Sequence, residues 1–534
     1  MKNDFPNLTE LRRQFPKTVE NLASLSNREM WLKRIWEIER RLLEFRENPD
    51  QTEEVIFFDS APKDLEIEAE FEIIYAGGTL GLLHAAVMAT KYNRKVLVFD
   101  AHTVGKTHRD WNISDEELEE FIRAELFTKE EIETAVANRY KTGFIKFYDA
   151  NSKIKTPPLF MDNVLDVAIE ADKLLHLAVE KIKKSGSKII NNLRFVRVFA
   201  NEEKVLVECE DAKTGRRKLF AAKLFVDATG TNSPVSRQLN SGKSITHICP
   251  TVGTVAKGFR RGEGEKEVDF SVGEILVSTE DASDNRQLIW EGFAGNPQTD
   301  EYTTYLFFYD SVKSKADKSL FRLFEDYFEK LPDYKTKNGA WRVVKPVFGY
   351  IPSYHQHGWN NAKKTATDRV LLIGDAAGLS SPLTFCGFGS HVRNLRKLTD
   401  STEIALSENS FTEKTLSNIN AYEPRVAQMS SLAEFMRPMP HSKSFVVNET
   451  MNAVMSALSQ LDANISRELF QDRMSFDSFK KVLLKTARIH PKVFKLMFEH
   501  LGVKGAFWWI SNIAEAALNE KNNNNRELPK TRNI

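Results

Sequence analysis

The sequence predicts an α/β protein built from a Rossmann-like nucleotide-binding domain, an antiparallel β-sheet domain and a helical C-terminal region. Three observations carry this. Short apolar strands enter glycine-rich turns and then apolar helices at two places almost 300 residues apart. Between them lie aromatic and β-branched runs of strand length, and beyond about residue 411 apolar residues recur at helical spacing. At 534 residues the chain is too long for one simple core, so two or three packed units are expected.

The first turn is in Glu72-Ile-Ile-Tyr-Ala-Gly-Gly-Thr-Leu-Gly81, followed by the Ala-rich apolar segment 82–89 and the strand Lys95-Val-Leu-Val-Phe99, which ends on Asp100. An acidic residue some 20 positions past a glycine-rich strand-to-helix turn is the context of a dinucleotide fingerprint. Ala76, Gly77, Gly78, Thr79, Leu80 and Gly81 form the turn, and Ala76 stands where the first glycine of that fingerprint is usual. Gly78 lets backbone approach a pyrophosphate, Gly81 lets helix and strand pack closely, and Asp100 can hold ribose hydroxyls.

A second segment, Ala222-Lys-Leu-Phe-Val-Asp-Ala-Thr-Gly230, follows a hairpin with its polar turn at 212–216, which makes Asp227 and Gly230 candidates. The third is Arg369-Val-Leu-Leu-Ile-Gly-Asp-Ala-Ala-Gly378, continued by Leu379-Ser-Ser-Pro-Leu-Thr-Phe-Cys-Gly-Phe-Gly389. There Gly374 and Asp375 are expected on the ribityl chain of FAD. Pro382, Gly387, Phe388 and Gly389 are expected at a helix N-terminus whose partial positive charge faces the flavin. Three motifs in this order predict FAD, held non-covalently. Arg109, after the second strand, is a candidate for the diphosphate or ribityl chain.

The wording of Gly77-Gly-Thr-Leu-Gly81, Asp110-Trp-Asn-Ile-Ser114, Phe348-Gly-Tyr-Ile-Pro-Ser-Tyr354 and the block 374–389 resembles the lycopene cyclases of the CruA and CruP type. These belong to the FAD-dependent superfamily of hydroxylases and geranylgeranyl reductases, with a glutathione-reductase type of Rossmann domain. The resemblance spans roughly residues 71–406 and departs at Cys386, where Gly is usual, and Asn394, where His is usual. It implies a redox-neutral ring closure of a linear carotenoid or other polyene, opened by a protonation, with FAD active in its reduced form and NAD(P)H a candidate reductant. Asp110 and Glu291 are the candidate acids. Asp110 could equally be structural, paired with Arg109, and Glu291 could face solvent. A monooxygenase or halogenase, a prenyl reductase, and a non-catalytic pigment-binding protein remain the competing readings.

The domains are expected at 1–66 (a helical extension, read as an arm or cap), 67–245 with 365–410 (FAD-binding), 246–364 (an antiparallel sheet roofing the flavin) and 411–534 (helical, with a disordered tail). Seventy-five basic against 74 acidic residues give a net charge of +1, which offers no argument for nucleic acid. Three scattered cysteines and no ligand-like spacing predict neither disulfides nor a metal site. The first residues lack signal-peptide features, and no apolar run reaches the roughly 20 residues of a membrane span. A cytoplasmic protein is expected, with a peripheral place on the inner membrane face as a further option. That option rests on the basic, aromatic stretch Phe479 to Ile510, including Trp508 and Trp509; the same stretch can equally be a helical subdomain that packs its apolar face on the FAD domain, with its lysines solvated. Oligomeric state is left open.

Overall fold

The computed structural model describes residues 5–47, 52–58, 65–354, 363–379, 387–421, 433–439 and 441–524. At its centre is a six-stranded sheet in the order Lys188–Ile190, Val96–Phe99, Ile73–Ala76, Leu224–Asp227, Val370–Leu372, Ala366–Thr367. All neighbours are parallel except the last pair. Its central strands are buried along their whole length, which is why they read as continuous apolar runs instead of alternating ones. Helix Leu80–Thr90, nearly all buried, makes the crossover between Ile73–Ala76 and Val96–Phe99. The register sets Asp227 beside both Ala76 and Leu372. The three motif turns therefore leave the same edge of the sheet side by side, where ligands of such sheets bind.

A second sheet runs Ile56–Phe57, Leu193–Ala200, Val205–Asp211, Arg217–Ala222, Ile67–Glu70. Its first strand comes from the expected extension 1–66 and pairs in parallel with Leu193–Ala200. Helix Arg28–Glu47 is docked as well: the Glu39 carboxylate accepts the Leu320 N–H at 3.1 Å. Burial raises the Glu39 carboxyl to about 7.

The roof is an eight-stranded sheet centred on His247–Phe259, which pairs with Tyr302–Phe307 and with the long strand Lys337–Ser353. Helix Leu320–Tyr334 packs on it, burying Phe321, Phe324 and Phe328. Two features differ from expectation. Thr142–Lys146 and Leu159–Met161, from within 67–245, belong to this sheet, and Val272–Val277 pairs with Thr142–Lys146 in parallel. The sheet is mixed, because strands this short acquire their partners through tertiary packing and not through local pattern.

Helices Val446–Leu458, Ala463–Phe470, Phe476–Ile489 and Val493–Asn524 complete the described residues, the last broken at Gly502 (φ 66°, ψ 172°). The Asn-rich stretch expected to be disordered is thus helical as far as Asn524. No described helix is long and apolar enough to cross a membrane.

Candidate active site

The three turns surround a cleft of about 810 Å³, within the roughly 300–1,000 Å³ usual for small-molecule sites. Ala76, Gly77, Thr79, Leu80 and Asp100 form one wall. Gly77 has φ +117°, and a Cβ there would overlap the carbonyl of Ala228, so the first and second motifs interlock through this glycine. Gly81 packs on Ala228 from the other side. Gly78 lies behind the wall, its N–H donating to Asp100 Oδ2 at 2.8 Å, while Asp100 Oδ1 accepts from the His102 N–H at 2.8 Å. The acidic residue thus braces the turn and still borders the cleft. Thr79 makes no side-chain cap, which leaves the first amides of helix Leu80–Thr90 available to an anion.

Gly374 and Asp375 open the opposite wall, and Gly387 and Phe388 bring in the start of helix Gly387–Ser407. Burial raises the Asp375 carboxyl, opposed by the positive charges of Arg109 and Lys363. Gly389 faces away from the cleft: a Cβ there would collide with the Glu117 carboxylate, which forms an ion pair with Arg393. Glu117 also accepts the Ser114 N–H at 3.0 Å, and Trp111 stacks on Phe388. Pro382 and Cys386 lie outside the described residues. Asn394 borders the cleft, its amide donating to the Ser390 carbonyl at 2.9 Å, and His391, one turn earlier, borders it too. Burial lowers His391 to about 4.

Asp227 requires a correction. Fully buried, it points inward instead of into the cleft, accepting from Thr229 N (2.8 Å), Thr229 Oγ1 (2.6 Å) and Ser233 Oγ. It ties the Asp-Ala-Thr-Gly turn to helix Pro234–Leu239, while Gly230 (φ +91°) reaches the cleft.

Several cations in or beside the site escape the motif-based reading. Arg34 and Arg41 line the cleft from helix Arg28–Glu47. Burial and the neighbouring Arg109 lower the Arg34 pKa, while Asp100 raises it. Arg34, Ile38 and Arg41 fall at i, i+4 and i+7, one helical face, and that spacing is the sequence signal for them. Lys363 is buried beneath Asp375 and Asp227; burial lowers its amine to about 7, against the pull of both carboxylates. His108 lines the cleft as well. Its Nε2 is bonded to the Phe348 carbonyl at 2.8 Å, and burial lowers its pKa to about 3.

The two candidate acids share the roof end of the cleft but differ in environment. Asp110 does not pair with Arg109. Lys345 Nζ donates to its Oδ1 at 2.8 Å and Thr303 Oγ1 to its Oδ2 at 2.8 Å. Glu291 does not face solvent. It is 4 % exposed on the strand Ile289–Ala294, and burial alone raises its carboxyl well above the usual carboxylate range. Alternation explains this: Trp290 turns into the far side of the sheet onto Tyr334, so Glu291 turns to the cleft. Tyr305, also bordering the cleft, donates to the Asp110 carbonyl at 3.4 Å.

No family model and no curated protein matches the chain. Solved structures do. A geranylgeranyl bacteriochlorophyll reductase-like protein from Thermoplasma acidophilum superposes with a TM-score of 0.58 at 15% identity, over 80% of this chain and 98% of that one. The halogenase PltM, solved with phloroglucinol and FAD, gives 0.56 at 15% identity over 84% and 96%. A p-nitrophenol 4-monooxygenase from Pseudomonas putida gives 0.52 at 16% identity over 78% and 99%. The chain has the fold on which these three proteins are built, a Rossmann-type α/β domain under a β-sheet roof.

Proposed function

We propose that this chain binds FAD non-covalently in the cleft and reduces an alkene in a hydrophobic substrate, in the manner of a prenyl reductase, with Glu291 as proton donor. The observation that carries the reading is the Glu291 carboxyl: buried, free of any described ion pair, raised by desolvation well above the usual carboxylate range, and in the same cleft as the dinucleotide turn.

The residues fit the cofactor. The Gly77 turn leaves no room for a side chain, the uncapped start of helix Leu80–Thr90 and the guanidinium groups of Arg34 and Arg109 suit a diphosphate, and Asp100 suits ribose hydroxyls. Asp375 would hold the ribityl chain. Bound in reduced form, FAD would supply a hydride to the alkene or, where none is passed, a fixed negative charge beside a developing cation. Glu291 would hold the proton for the alkene in a site that Tyr305 and Phe348 help to keep dry. Both oxygens of Asp110 are already engaged, which suits positioning of the roof better than proton delivery. NAD(P)H is the proposed source of electrons.

A second reading, ring closure of a carotenoid-like polyene, is favoured by the contact between Trp111 and Phe388, which joins the two blocks most specific to the CruA/CruP resemblance. Glu291 would protonate the polyene in that case as well.

The purified protein is expected to be yellow and to release its flavin into the supernatant on acid precipitation. Incubation with an acyclic isoprenoid polyene and a reductant, followed by mass spectrometry, separates the chemistries. A product heavier by two hydrogens supports reduction, a ring-closed product of unchanged mass supports the cyclase reading, and a gained oxygen overturns both. Colourless protein that cannot be reconstituted with FAD would overturn the flavin assignment itself.

A further inference from the structure

The two last helices carry an apolar stripe on their outer face. Val503 is 78% exposed, Leu518 60%, Ile510 50%, Leu484 48%, Phe498 47% and Phe494 46%. Val503, Ile510 and Leu518 follow at intervals of seven and eight residues, with exposed Ala514 between the last two, so they share one side of the helix. Phe494 and Phe498 stand one turn apart before the break at Gly502. The neighbouring faces are anchored. Val493, Leu496, Ala506 and Trp509 are buried, and Trp509 meets Phe435 and Phe479 edge-on at 6.5 and 6.0 Å. Which face looks outward is therefore set by core packing. Of the two readings of this stretch, packing against the protein holds for Trp509, which is buried; the Trp508 side chain lies outside the described residues.

Charge decides what the stripe meets. Across 476–504 there are seven Lys and Arg against two carboxylates, a net +5. Lys480, Lys481, Arg488, Lys492, Lys495 and Lys504 are exposed. The two carboxylates, Asp477 and Glu499, are each paired with a lysine one turn along their helix. Two copies of this face would bring like charges together, whereas an anionic bilayer offers both the opposite charge and an apolar layer. Basic helices with large apolar residues on one side lie in the headgroup region in this way. No described helix can span the bilayer, so the contact would be peripheral.

We propose that the outer face of 484–518 docks the protein on an anionic lipid surface, Phe494, Phe498 and Ile510 entering the interface and the lysines engaging headgroup phosphates. The proposal stands independently of the chemistry in the cleft. It is tested with the full-length protein and vesicles of phosphatidylcholine, with or without phosphatidylglycerol. Co-sedimentation with the mixed vesicles only, weakened several-fold by high salt, is expected. The triple variant Phe494→Ser, Phe498→Ser, Ile510→Ser should lose at least tenfold in vesicle affinity, and Lys480→Glu with Lys492→Glu should lose a similar factor. All these positions are exposed, so circular dichroism should be unchanged. Wild-type protein that ignores anionic vesicles at low salt overturns the proposal. So does a concentration-dependent dimer that the triple variant abolishes, since the stripe would then belong to a second copy.

Discussion

The indole of Trp111 lies stacked on the phenyl ring of Phe388, with ring centroids 4.3 Å apart and planes inclined by 16°. This contact joins segments that are 277 positions apart and places both on the wall of the cleft. Beneath it, the Glu117–Arg393 ion pair and the close approach of Gly389 to Glu117 hold helix Asp115–Arg123 against the start of helix Gly387–Ser407. The stack thus positions the helix N-terminus that would face the flavin.

If so, Trp111→Ala and Phe388→Ala should each weaken FAD binding, and the double variant should be little worse than the poorer single one. Aromatic pairs of this kind couple by about 0.5–1.5 kcal/mol, or about 2- to 12-fold in affinity. Flavin fluorescence titration of the four proteins measures the coupling. Full additivity would show that the stack does not position the site.

Glu291→Gln should abolish turnover while leaving FAD content unchanged, since an amide keeps the shape and cannot donate the proton. Stability gives a second readout. The folded carboxyl binds its proton more tightly than the unfolded one, because burial raises its pKa. Between the unfolded value of about 4.3 and the higher folded value the native state therefore holds more protons, and stability falls as pH rises. The variant lacks that slope and should be more resistant to denaturant than wild type at pH 8, with the gap closing toward pH 4. An equal gap at both pH values would contradict a buried, protonated Glu291.

Gly77→Ala tests the interlock of the first two motifs. The backbone there has φ +117°, and the added methyl would overlap the Ala228 carbonyl. Strain of about 1–3 kcal/mol from the backbone is expected before the clash is counted. The variant should melt lower than wild type and purify with little flavin. Wild-type flavin content in Gly77→Ala would mean that the turn is looser than its geometry implies.

Local signals made the nucleotide-binding core legible. The strand-turn-helix of residues 73–90 and the strands at 224–227 and 370–372 follow from apolar runs and glycine placement, and the chain order of the motifs implies that they meet. What was not legible depends on pairing at long range. The parallel partnership of Val272–Val277 with Thr142–Lys146 carries no local pattern. The Lys345–Asp110 ion pair spans 235 positions, so adjacency suggested Arg109 instead. Asp227 sits at the end of a central strand where either an inward or a cleft-facing carboxylate was possible, and the hydroxyls of Thr229 and Ser233 decided it. Arg34 and Arg41 became part of the site only because helix Arg28–Glu47 docks along the cleft.

Lys363 gives the last prediction. The residue is 9 % exposed, and its buried amine donates to the Ala376 carbonyl at 3.4 Å and feels the carboxylates of Asp375 and Asp227. Burial wins over both, lowering the amine to about 7, so it is neutral in the folded protein above that pH while the unfolded chain stays protonated to about 10.4. In this window the unfolded state holds the extra proton, and stability must rise with pH. Lys363→Met deletes that contribution. The advantage of the variant over wild type should therefore shrink between pH 7 and pH 10, as read from urea midpoints at constant ionic strength. Below pH 7 a charged Lys363 would help to balance Asp375 and Asp227, and its loss should cost the most cofactor there. A difference between wild type and variant that does not move with pH would mean that Lys363 stays charged throughout, held by the two carboxylates.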